Sequence, residues 1–193
     1  MINDKSIGIM TTQILKDYGL YHPPVNLEKL ASELEINIKY EDIEDHVSGF
    51  IKIYSESDNK DSKAVIVVNR NHHPNRQRFT IAHEFGHYFL HKDKSNVFID
   101  ESFSNALRSK RKNSKYAQFH RNNESSLGVD LDEIEANKFA ASLLMPEHLL
   151  ESEIDRLKID LTNDEHGKRL AKIFQVSVQS LTHRINNLGV VYF

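Results

Sequence analysis

The chain of 193 residues contains no cysteine. That excludes disulfides and any thiolate metal site, so a bound metal has only imidazole and carboxylate side chains to draw on. Long apolar runs are missing as well. None approaches the roughly 20 residues that span a bilayer. The opening stretch, MINDKSIGIMTTQILKDYGL, lacks the basic segment followed by an apolar one that marks a secretory signal. These absences lead us to expect a cytoplasmic protein without a membrane partner. Positive charge is not in excess either. Net charge is −3 and the isoelectric point lies near 6.4, so no global field advertises nucleic acid. Repeats and low-complexity segments are absent. The 39% hydrophobic and 27% charged residues suffice for one ordinary globular core.

Apolar spacing predicts a helix over about 6–18 closed by Gly19, and a second capped by Asn26 with Leu27, Leu30, Ala31 and Leu34 as its buried face. Three β-like runs follow: Ile36 to Tyr40, Val47 to Tyr54 and Ala64 to Val68, the last two joined by a polar hairpin loop. Pro74 opens the next helix. From Glu101 to Gly128 the chain turns basic, with Arg108, Lys110, Arg111, Lys112, Lys115 and Arg121. Only Tyr116 and Phe119 interleave, so a solvated loop is favoured over a nucleic-acid surface. Leu131 to Met145 reads as a strong helix stopped by Pro146. Another follows from Glu147 to Leu157, then a pair over 165–174 and 178–188 capped by Gly189. The order of helices, strands and helices predicts an α+β fold, mostly helical, with a small three-stranded sheet.

Chemistry concentrates in FTIAHEFGHYFLH, Phe79 to His91. His83 and His87 are four apart on a helix, hence on one face, where two imidazoles can share a zinc ion. Glu84 sits beside that face, placed to take a proton from water at the metal. Gly86 inside this helix costs about 1 kcal/mol relative to alanine; close approach of another element would explain it. With 11 histidines in the chain, chance yields H-E-x-x-H in on the order of a few per cent of such sequences, so a third ligand must be found. His91 is roughly 12 Å from His83 along a continuous helix, too far to share an ion, so it is read as a histidine behind the ligands or at the helix C-terminus. Glu133 lies on the buried downstream helix, where a carboxylate needs a partner and a cation serves. Asn137, four residues on, shares its face and can accept the spare N–H of a ligating imidazole. Glu135 is rotated about 200° from Glu133 and points elsewhere. The competing account makes Glu133 a helix-dipole acid beside Asp130 and Asp132.

HEFGHYFLH followed by EIEANKFAASLLMP resembles the ImmA/IrrE metallopeptidases, a gluzincin-like, zincin-fold group. The similarity extends over nearly the whole chain, through PPVNLEKLASEL, Ser48-Gly49, RQRFTIAHE and FQVSVQSLTHRINNLG. It implies zinc held by His83, His87 and Glu133, with Glu84 as the catalytic glutamate. It also implies a narrow endopeptidase activity that cleaves or inactivates a helix-turn-helix repressor in a phage, mobile-element or stress circuit. The expected division is a peptidase domain over 1–160 and a helix-turn-helix-like pair over 161–193 packed upon it as one unit. That pair offers only His183 and Arg184 as base or phosphate readers, so DNA is the weaker partner. The rival function is a non-enzymatic regulator that binds a repressor or DNA, with zinc structural. The oxyanion donor is left open among His91, Tyr116, His120, Arg121 and His148, and Val47 to Tyr54 is the expected edge for an extended substrate.

Overall fold

The computed structural model describes residues 2–58, 60–101 and 126–189. The basic cluster around Arg108 to Arg121, with Tyr116 and His120, lies outside them. The elements are α1 (Asp4–Asp17), α2 (Leu27–Glu33), β1 (Ile36–Glu41), β2 (Val47–Ile53), β3 (Ala64–Asn69), α3 (Pro74–Leu90), β4 (Val97–Glu101), α4 (Ser126–Leu144), α5 (Glu147–Leu157), α6 (Asp164–Phe174) and α7 (Val178–Leu188). Local chemistry sets several boundaries. Asn26 Oδ1 accepts from the Lys29 N–H at 2.8 Å, Ser177 caps α7, and Gly189 closes it at φ 66°.

The α+β expectation agrees with this architecture, but the sheet has four strands rather than three, in the order β1-β3-β2-β4. β1 runs parallel to β3, whereas β2 is antiparallel to both β3 and β4. The fourth strand corrects a second expectation. β2 is interior, so its edge is not open to a substrate; β1 and β4 are the sheet's outer strands among the described residues. β3, buried along its whole length, is the most apolar run for that reason.

α3 packs on the sheet, chiefly against β2. Gly49 permits the approach: a Cβ there would sit 2.5 Å from the Val67 carbonyl oxygen and 2.6 Å from Thr80 Cγ2. On its other side α3 meets α4. A Cβ on Gly86 would fall 2.9 Å from Ala136 Cα, 3.1 Å from its carbonyl oxygen and 3.2 Å from its Cβ. The absent side chain is what lets two backbones come this close. α4 begins at Ser126, not at Leu131, and therefore runs through Gly128.

One buried cluster joins Ile7, Leu15, Leu30, Ile66, Phe85 and Phe139 to Leu170, Phe174 and Leu181 of α6 and α7. Arg184 of α7 donates from Nε to the Met145 carbonyl at 3.1 Å, just past the end of α4. No helix among the described residues is long and apolar enough to cross a membrane.

Candidate metal centre

α3 and α4 run in opposite directions past the Gly86–Ala136 contact, so residues ascending α3 meet residues descending α4. His83 Nδ1 lies 3.1 Å from Asn137 Oδ1. His83 Nε2 is 3.2 Å and His87 Nε2 3.3 Å from the two Glu133 carboxylate oxygens. The two Nε2 atoms are 3.0 Å apart. His83, His87 and Glu84 are buried, Glu84 completely. Glu133 retains 22% side-chain exposure, leaving the centre one side toward solvent.

The donor set fits a single cation. Ligands at about 2.0–2.1 Å in a tetrahedron stand about 3.3–3.4 Å from one another, close to the separations found. Direction fits too. The Asn137 carbonyl oxygen can only accept, so His83 carries its proton on Nδ1 and presents the Nε2 lone pair toward His87 and Glu133. Electrostatics agree. Burial, reinforced by His83, pushes the His87 pKa down to about 4, against the pull of Glu133. Burial raises the Glu133 carboxyl, but hydrogen bonds and charge from His83 and His87 outweigh it and hold it well below the usual range. At neutral pH the cluster therefore presents a neutral imidazole and a carboxylate. His83, His87 and Glu133 can together hold a metal ion.

Glu133 occupies the second turn of α4, beyond reach of a helix-terminus role. Sequence spacing set His91 behind the ligands or at the helix C-terminus, as found, but did not reveal the carboxylates it joins. His91, the C-cap of α3, places Nδ1 3.2 Å from His87 Nδ1 and Nε2 3.1 Å from Glu135 Oε2. Asp132 Oδ1 is 3.5 Å from the same Nε2 and also binds Lys94 Nζ at 2.5 Å. Phe98 of β4 stacks on the His87 ring, 4.4 Å between centroids with planes 12° apart. The available signal was the Asp132–Glu135 spacing, which puts both on one side of α4 next to the Glu133 side. Of the oxyanion candidates, His148 lies on α5, mostly exposed and paired with Glu151 at 3.1 Å.

Compared with curated protein sequences, the chain finds no match. Among solved structures it resembles a Mycobacterium tuberculosis transcriptional regulator, with a TM-score of 0.56 at 17% identity. The match covers 94% of this chain but 46% of that one, so this chain spans about half the regulator's length. At that identity the likeness speaks for the fold alone. The family described as peptidase M78, IrrE N-terminal-like domain, matches residues 31–186, which include all of α3 and α4. The helix pair that brings His83, His87 and Glu133 together lies within a chain that belongs to this metallopeptidase family.

Proposed function

We propose that the chain is a zinc-dependent endopeptidase of narrow specificity, acting in the cytoplasm on a helix-turn-helix repressor. The observation that carries this reading is the triangle of His83 Nε2, His87 Nε2 and the Glu133 carboxylate, with edges of 3.0–3.3 Å, beside the buried Glu84. Two imidazoles and one carboxylate leave a coordination position for water or substrate, as hydrolytic zinc sites do. A zinc ion held there supplies a Lewis acid that polarises the scissile carbonyl and acidifies water. Glu84 takes the proton from the attacking water and returns it to the departing amine. Asn137 fixes the His83 ring, and β4, an outer strand among the described residues, is the edge on which an extended peptide would pair. The repressor as substrate follows from the family resemblance.

The division into a peptidase domain over 1–160 and a helical pair over 161–193 goes with this reading, the pair serving as a buttress. Arg184, one of the two potential DNA readers, is turned inward onto Met145, which leaves His183 alone on the exposed face. That weighs against DNA as a partner. The deciding experiment coexpresses wild type or Glu84→Gln with the helix-turn-helix regulator encoded nearest the gene. Wild type should cut the regulator, and Glu84→Gln should bind zinc equally without cutting. If both relieve repression while the regulator stays full length, the non-enzymatic reading replaces this one.

A further inference from the structure

We infer that His91, Asp132 and Glu135 form a positioning relay that fixes which nitrogen of His87 faces the metal. The inference rests on the metal-centre reading above. The direction of each hydrogen bond follows from the chemistry of its end group. Ionised Glu135 and Asp132 only accept, and both approach His91 Nε2, at 3.1 and 3.5 Å. His91 therefore carries a proton on Nε2. A neutral imidazole protonated there has its lone pair on Nδ1, which lies 3.2 Å from His87 Nδ1. Two lone pairs do not attract, so His87 must supply the proton between them and carry it on Nδ1. Its Nε2 is then the lone pair, aimed at His83 Nε2 and Glu133. The opposite tautomer of His87 would set lone pair against lone pair at His91 and turn an N–H toward the metal position. His91 thus does for His87 what Asn137 does for His83, but through a ring whose own tautomer is set by carboxylates on α4.

Packing keeps the relay in place. His91 is 1% exposed and Glu135 5%. The Ile2 N–H donates to Glu135 Oε1 at 2.5 Å, holding the carboxylate from behind. Phe98 covers both rings, 4.4 Å from His87 and 6.1 Å from His91 by centroid. The same three side chains, His91, Asp132 and Glu135, are near enough to ligate a second cation. Two observations favour the relay. Lys94 already neutralises Asp132, and Ile2 occupies one oxygen of Glu135.

The test compares His91→Leu with His91→Gln in the full chain. Zinc affinity is read by chelator competition, zinc stoichiometry by metal analysis, and apoprotein melting by circular dichroism. Leucine fills space but cannot accept a hydrogen bond, whereas the glutamine amide oxygen can accept the His87 Nδ1–H. We expect one zinc per wild-type chain, affinity about 10- to 100-fold weaker in His91→Leu, and recovery to within about threefold in His91→Gln. If the leucine variant does not fold, His91→Ala takes its place. Equal loss in both variants would mean a packing role only, and no loss in either would mean no role; each overturns the relay. Two zincs in wild type, the second lost in His91→Leu, would overturn it in favour of a second metal site. A folded wild type that binds no zinc would remove the metal centre itself, and the relay with it.

Discussion

Replacing Gly86 with alanine tests whether the metal centre depends on how closely α3 and α4 approach. A methyl group at Gly86 would lie 2.9 Å from Ala136 Cα, a backbone atom that no rotamer change can move. Carbon atoms prefer about 3.5–4.0 Å, so the helices must part by roughly 0.6–1.1 Å. Overpacking of this kind costs about 1–3 kcal/mol. The helix-propensity gain of alanine over glycine returns about 1 kcal/mol, leaving a net loss of about 0–2 kcal/mol in the apoprotein. Zinc binding should suffer more. His83 and His87 flank Gly86 on one helix, and Glu133 lies one turn from Ala136 on the other. Any separation therefore adds to the 3.2 and 3.3 Å edges between imidazole and carboxylate, where ligand distances tolerate only about ±0.2 Å. We expect zinc affinity at least about tenfold weaker, or about 1.4 kcal/mol. The control is Gly167→Ala in α6, where an added Cβ meets nothing within 4 Å; it should stabilise by about 0.5–1 kcal/mol without changing zinc binding. The measurements are urea unfolding of the apoproteins and chelator competition. If Gly86→Ala behaves like Gly167→Ala, more stable and equally tight for zinc, the helix contact does not set the site.

Arg184→Met should leave the Met145 carbonyl without its guanidinium donor and cost about 1–3 kcal/mol in urea unfolding. Zinc affinity should not change, because Met145 is about 18 Å along the helix axis from Glu133. The apoprotein should also lose stability as the medium is acidified. The His87 pKa is lowered in the folded state to about 4, so its contribution is complete above the unfolded value of about 6.5 and is lost as pH falls through about 4. Over that interval the loss is on the order of 3 kcal/mol, read as a falling urea midpoint; a flat midpoint would contradict neutral burial of His87.

Some of this was legible in the chain because it is local. Helical spacing alone joins His83, Glu84 and His87, and a carboxylate on an otherwise buried helix pointed to Glu133. Gly86 was legible as a candidate contact site, since close approach of another element is one reason for glycine inside a helix. The missed features depend on partners remote in sequence. β4 exists by pairing with β2, Ile51 opposite Phe98 and Lys52 opposite Val97; Val97, Phe98 and Ile99 favour a strand, but so short a run carries no trace of that register. Apolar spacing marked the helix only from Leu131, whereas α4 starts five residues earlier, at Ser126. Arg184 looked like a surface cation because its carbonyl acceptor lies 39 residues away. His91 is the most instructive case. Axial rise correctly set it apart from the His83–His87–Glu133 cluster, but rise says nothing about which nitrogen faces which neighbour. That depends on α4 running antiparallel to α3, with Asp132 and Glu135 arriving where the histidine ladder ends. A spacing rule can find candidate ligands on one helix; in the relay proposed above, the proton positions that suit them to a metal are decided by the helix across from it.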